Sequence, residues 1–133
     1  LGESISIIPS LFGFTHVRNT GAAWSMLEGN RIFLILISFI AIGLVYWFMI
    51  KDKKIEAIEE IGYGILLGGI VGNLMDRVIL GYVIDFISIY IGSYAFPIFN
   101  VADIGIVVGT LIIVGIMLKE DMHGDHCTSE RHK

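Results

Sequence analysis

Three apolar blocks stand out along the chain, and each is long. Ile32 to Ile50 (IFLILISFIAIGLVYWFMI) contains no charge. Ile61 to Ile79 (IGYGILLGGIVGNLMDRVI) stays apolar until its last third. Val101 to Leu118 (VADIGIVVGTLIIVGIML) has one acid near its start. Each supplies close to the ~20 residues that carry a helix across ~30 Å of hydrocarbon. Between and before the blocks the pattern changes. Ser4-Ile5-Ser6-Ile7 and Phe12-Gly13-Phe14-Thr15-His16-Val17 alternate in the period-2 manner of strands, with Pro9-Ser10 between them. Residues 80–99 are apolar, β-branched and aromatic, broken by Gly81, Gly92 and Pro97. They read as strand plus turn at the membrane surface, with a short interfacial or re-entrant helix as the alternative. The expected architecture is a membrane α-helical bundle of three spans with a small extracytoplasmic β-sheet.

Composition agrees with this class. Of 133 residues, 55% are hydrophobic and 17% charged, whereas soluble domains carry about a quarter charged residues. The length allows one domain, placed at residues 1–120, followed by a polar cytoplasmic tail at 121–133. A net charge of −4 gives no reason to expect a nucleic-acid partner. A single cysteine, Cys127, excludes an internal disulfide. His123, His126 and Cys127 in the tail do not follow a zinc-site spacing, so no metal or other cofactor is expected.

Basic residues set the orientation. Lys51, Lys53, Lys54, Lys119, Arg131 and Lys133 lie on one side of the spans, against Arg18, Arg31 and Arg77 on the other. The positive-inside rule puts the 51–60 loop and the C-terminus in the cytoplasm. The N-terminus is then extracytoplasmic, which leads us to expect an upstream span before Leu1, or a cleaved signal peptide. Gly64, Gly68 and Gly72 recur every four residues and predict a helix face for close packing.

The costly residues gather in one layer. Asn73, Asp76, Arg77, Asp85, Asn100 and Asp103 fall at the outer ends of the second and third blocks or between them, and Asn19 lies in the outer N-terminal segment. Polar groups at such depth are expensive and usually functional. Ordinary structural roles exist for each: Asn100 as an N-cap with Asp103 in the first turn, Asp76 neutralising a neighbouring arginine, Asp85 pairing with Arg77. Two close carboxylates, however, share a proton. One can then activate water while the other protonates a carbonyl oxygen. A cation carrier built on Asp85 and Asp103, or a non-catalytic scaffold, uses the same residues.

Four motifs narrow the choice. They are Asn19-Thr20-Gly21-Ala22-Ala23-Trp24-Ser25, Gly68-Gly69-Ile70-Val71-Gly72-Asn73-Leu74-Met75-Asp76-Arg77, Gly81-Tyr82-Val83-Ile84-Asp85-Phe86 and Phe96-Pro97-Ile98-Phe99-Asn100-Val101-Ala102-Asp103. In this order and spacing they resemble the bacterial lipoprotein signal peptidases (signal peptidase II), over nearly the whole stretch from Leu1 to Leu118. The resemblance implies a four-helix membrane aspartyl peptidase with a small extracytoplasmic sheet, lacking here the family's first helix. It implies Asp85 and Asp103 as the catalytic pair, with Asn19, Asn73, Arg77 and Asn100 as substrate-binding or supporting residues. It also implies prolipoproteins with diacylglyceryl-cysteine as substrates, cut before the lipidated cysteine, and sensitivity to globomycin. The protein is expected to be a monomer in the bacterial cytoplasmic membrane, with its site at the extracytoplasmic surface.

Overall fold

The computed structural model describes residues 4–22, 26–51 and 56–129, with side chains in the last segment as far as residue 120. Three helices carry the apolar blocks: α1 (Arg31–Lys51), α2 (Ala57–Ile79) and α3 (Val101–Ser129). All three are long and apolar enough to cross a membrane. Helix α2 lies in the middle and touches both α1 and α3. Its burial reflects this. It buries Gly62, Tyr63, Gly69, Asn73 and Leu74, while α1 buries only Leu34. Large apolar side chains cover the remaining helix surfaces, such as Ile40 and Trp47 on α1 and Leu111 on α3. That distribution suits a lipid solvent, which carries no penalty for exposed leucine or isoleucine.

Glycines do bring α2 and α3 together, but not the ones the four-residue period pointed to. Gly64 and Gly68 face open space. A Cβ on Gly62 would lie 2.8 Å from Ile112 Cγ2, one on Gly69 would collide with the Ala102 carbonyl, and one on Gly109 would lie 2.6 Å from Leu66 N. Only Gly72 of the expected row meets α3, at Ala102 Cβ. Helices crossing at a shallow angle keep contact at a seven-residue spacing, as from 62 to 69, whereas a strict four-residue row drifts around the axis. The true contact stripe continues upward to Asn73.

At the same end of the bundle sits a four-stranded antiparallel sheet in the order β1-β2-β3-β4, comprising β1 (Ser4–Ile8), β2 (Phe12–Asn19), β3 (Val83–Ile91) and β4 (Tyr94–Ala95). The alternating segments therefore form the expected strands, and residues 80–99 are strand and turn rather than helix. The β2–β3 register slips between Phe14 and Val17, which places Val17 opposite Asp85. Such irregularities re-aim a side chain beside a site. At the other end helix α3 runs on to Ser129, into the polar segment that follows residue 120. Backbone hydrogen bonding continues there although the apolar pattern that marks a span has stopped. The side chains of His123, His126 and Cys127 lie outside the described residues, as do Lys53 and Lys54.

Candidate active site

Asp85 and Asp103 reach the site on different elements. Asp85 comes from β3, which leaves α2 through the turn at Gly81, where φ is +89° and glycine carries no steric cost. Asp103 sits in the first turn of α3. What joins them is Asn100. The Phe99 carbonyl accepts from the amides of Phe86 (3.0 Å) and Ile87 (2.8 Å), so the residue before Asn100 is sewn to β3. The side chain of Asn100, only 5% exposed, then lies between both carboxylates.

The hydrogen bonds close a ring. Asn100 Nδ2 donates to Asp85 Oδ1 at 2.8 Å and to Asn73 Oδ1 at 3.0 Å. Asn73 Nδ2 donates in turn to Asp103 Oδ1 at 2.7 Å. Asn100 Oδ1 accepts from the Asp103 amide at 3.0 Å, and Asp103 Oδ2 accepts from the Asn100 amide at 3.1 Å. This last reciprocal pair is a capping box at the start of α3. The N-cap role and the site role of Asn100 are therefore the same geometry. Asn19 Nδ2 completes the set, donating to Asp85 Oδ2 at 2.9 Å, while Asn19 Oδ1 accepts from Gly21 N at 2.9 Å.

Asp85 is 3% exposed. Burial pushes its carboxyl above the usual carboxylate range, and the charge of Asp103 pushes the same way. The amides of Asn19 and Asn100 and the charge of Arg77 oppose the rise.

Arg77 and Asp76 also hold backbone groups around the site. Arg77 hydrogen-bonds neither carboxylate. Its Nη2 donates to the Gly21 carbonyl at 3.0 Å and its Nη1 to the Asn73 carbonyl at 3.3 Å, so it pins the chain just after Asn19, the last residue of β2. Asp76 accepts from the Ile84 amide at 3.1 Å, holding the start of β3, and its charge also acts on Arg77. A free backbone N–H at a strand start is as good a partner for a carboxylate as a cation, and spacing along a helix does not reveal it.

The carboxylates open into a cavity of about 460 Å³. Asn19, Asn73 and Arg77 give it polar walls at one end. Phe96 to Phe99 form an apolar wall, with the rings of Phe96 and Phe99 edge to face at 5.9 Å. Ile104, Val107 and Val108 continue that surface down α3.

Comparison with known proteins gives the arrangement its context. The family described as Signal peptidase (SPase) II matches residues 1–119. The chain belongs to the signal peptidase II family. The lipoprotein signal peptidase of Geobacillus kaustophilus is 44% identical over 113 residues, spanning 85% of this chain and 73% of that protein. The lipoprotein signal peptidase of Listeria welshimeri is 40% identical over 121 residues, spanning 91% and 79%. A solved structure described as a bacterial membrane enzyme, determined in meso at 2.3 Å, superposes with a TM-score of 0.84 at 37% identity, covering 91% of this chain and 74% of its own. As a signal peptidase II with three membrane-crossing helices, the protein is a multi-pass membrane peptidase. That assignment decides against a cation carrier or a scaffold.

Proposed function

We propose that this peptidase removes the signal peptide from prolipoproteins carrying diacylglyceryl-cysteine, cutting before that cysteine with Asp85 and Asp103 acting on water. The observation that carries the reading is the hydrogen-bonded ring. It holds two carboxylates beside a cavity that is polar at one end and apolar along its length. Asp85, more deeply buried, is assigned the shared proton and donates it to the scissile carbonyl oxygen. Asp103 takes a proton from the attacking water. The tetrahedral intermediate then collapses: Asp103 passes its proton to the cysteine nitrogen as the C–N bond breaks, Asp85 takes back a proton from a hydroxyl of the intermediate as the new carboxyl forms, and both carboxyls return to their starting states. Fixed amide dipoles from Asn19, Asn73 and Asn100 hold the pair without reorganising during the reaction.

The apolar wall from Phe96 to Val108 fits an acyl chain and the signal helix, which keeps the scissile bond at the depth of the carboxylates. The site belongs at the extracytoplasmic face of the bacterial cytoplasmic membrane, the side opposite the lysine-rich loop. The test is cleavage of a diacylglyceryl-modified prolipoprotein in detergent. Asp85→Asn and Asp103→Asn should each lower turnover by at least ~1000-fold, since an amide neither accepts nor donates the shared proton, while the protein stays folded. Substantial cleavage by either variant refutes the pair.

A further inference from the structure

One side chain on α1 reaches the site end of the molecule without belonging to any of the four motifs. Arg31, the first residue of α1, faces the last turn of α2. Its Nε donates to the Arg77 carbonyl at 2.8 Å and its Nη2 to the Val78 carbonyl at 2.8 Å. These carbonyls lie where a helix runs out of its own amide donors. Arg77 O also receives a longer bond, 3.2 Å, from Gly81 N and a share of the Leu80 amide, whereas the fork of Arg31 reaches it at 2.8 Å. A cation at this position also meets the negative end of the helix dipole.

The guanidinium then lies over the turn that follows. A Cβ on Gly81 would sit 3.4 Å from Arg31 Nη1. Beyond Gly81 the chain enters β3 at Val83, Asp76 holds the Ile84 amide, and Asp85 is the next residue. The turn is thus gripped from two sides, by Asp76 from within α2 and by Arg31 from α1. Helix α1 has few other holds on the molecule, because Leu34 is its one buried residue.

We infer that Arg31 is a positioning residue for peptide hydrolysis: it caps α2 from a neighbouring helix and fixes the turn that delivers Asp85. The inference rests on the reading of Asp85 and Asp103 as the acting pair. Arg31 touches no reacting atom. Its effect passes through the backbone of residues 77–84, so its loss should misplace Asp85 and slow the chemical step while substrate binding in the cavity persists.

The experiment measures kcat, KM and Tm for cleavage of a diacylglyceryl-modified prolipoprotein by the full chain and by four variants. Arg31→Ala should lower kcat roughly tenfold with KM within about twofold, as expected when a reacting group shifts by a fraction of an ångström. Arg31→Lys, a compact cation without the fork that serves two carbonyls, should recover part of the loss. Leu34→Ala loosens the same helix without touching the cap, and should lower Tm while keeping kcat. Unchanged kcat in Arg31→Ala overturns the inference. So does an equal kcat loss in Leu34→Ala, which would make simple docking of α1 the cause. Should Arg31→Ala fail to fold, Arg31→Lys decides: kcat below wild type at unchanged Tm supports the cap, and wild-type kcat overturns it. Asp85→Asn separates the two levels. An active Asp85→Asn enzyme removes the reading of the pair and this inference with it. An inactive one beside an unaffected Arg31→Ala removes only the role of Arg31.

Discussion

At the scale of single residues, the site is economical because Asn100 serves two purposes. Its carbonyl oxygen caps α3 through the Asp103 amide, and its Nδ2 ties Asp85 to Asn73. The two roles separate by substitution. Asn100→Ala should cost ~1 kcal/mol of stability, the usual worth of an N-cap, and should lower turnover at least tenfold. Asn100→Ser keeps a capping oxygen but is too short to bridge the carboxylates, so stability should return while turnover does not. Paired thermal melts and cleavage rates check this, and recovery of turnover in the serine variant would show that the bridge is dispensable. Asp85 gives a pH signature with a definite sign. Its native pKa is raised from the ordinary 3.8 by burial, so between those two values the folded chain holds a proton that the unfolded chain has released. Stability therefore falls as pH rises through that window. Melting curves across acidic pH should show the decline in the wild type and a flatter profile in Asp85→Asn. An identical slope in the two would mean that Asp85 titrates normally.

At the scale of elements, the packing of α2 on α3 controls how far apart Asn73 and Asp103 stand. Gly69 lies one turn below Asn73, against the Ala102 backbone. Gly69→Ala should force the helices apart, with an overpacking cost of ~1–3 kcal/mol and a loss of activity, because the Asn73–Asp103 bond spans the same seam. Gly68→Ala, one residue away but facing open space, should be neutral or stabilising by up to ~1 kcal/mol through helix propensity. Comparing Tm and turnover of the pair tests the seam, and equal damage from both would contradict it. This contrast also shows where the sequence was readable. The spans were visible because hydropathy over some twenty residues is a strong signal, and the strands because apolar residues alternate at β1 and β2. The choice of helix face was not visible. It depends on the crossing geometry of α2 and α3, and Gly64, Gly68 and Gly72 give a tidy period that the crossing uses only at Gly72. The backbone partners of Asp76 and Arg31 escaped for a related reason. Both residues bind backbone groups far along the chain, and no spacing rule reports a backbone partner. Asp85, Asp103 and their asparagines stood out as a layer because polar groups at a membrane boundary are costly and few, whereas the choice of the two aspartates as a pair rested on the family motifs.

At the scale of the whole molecule, the site stands where three parts meet: the sheet supplies Asp85 and Asn19, α2 supplies Asn73, and the start of α3 supplies Asn100 and Asp103. Each part is held by a contact that also shapes the cavity. The Phe99 carbonyl joins the segment before α3 to β3, and Phe99 is itself a wall residue. The apolar run down α3 leads from the carboxylates into the membrane-crossing part of the bundle, which under the proposed function is where acyl chains on a substrate would enter. Val107 lines this surface below the carboxylates and is 57% exposed, so it supports no core packing. Val107→Trp should therefore leave Tm nearly unchanged while filling part of the roughly 460 Å³ cavity. If the groove receives acyl chains, the variant should raise KM for a diacylglyceryl-modified substrate about tenfold, equivalent to the ~1.4 kcal/mol lost when one or two buried methylenes are displaced. A water-soluble peptide carrying the same cleavage sequence without lipid should be cut, however slowly, at a rate the substitution does not alter. The comparison isolates lipid contact from chemistry, since both substrates meet the same carboxylates. A tryptophan that leaves KM for the lipidated substrate unchanged, or slows both substrates equally, would show that the acyl chains lie elsewhere and that the apolar wall serves only to seat the signal helix.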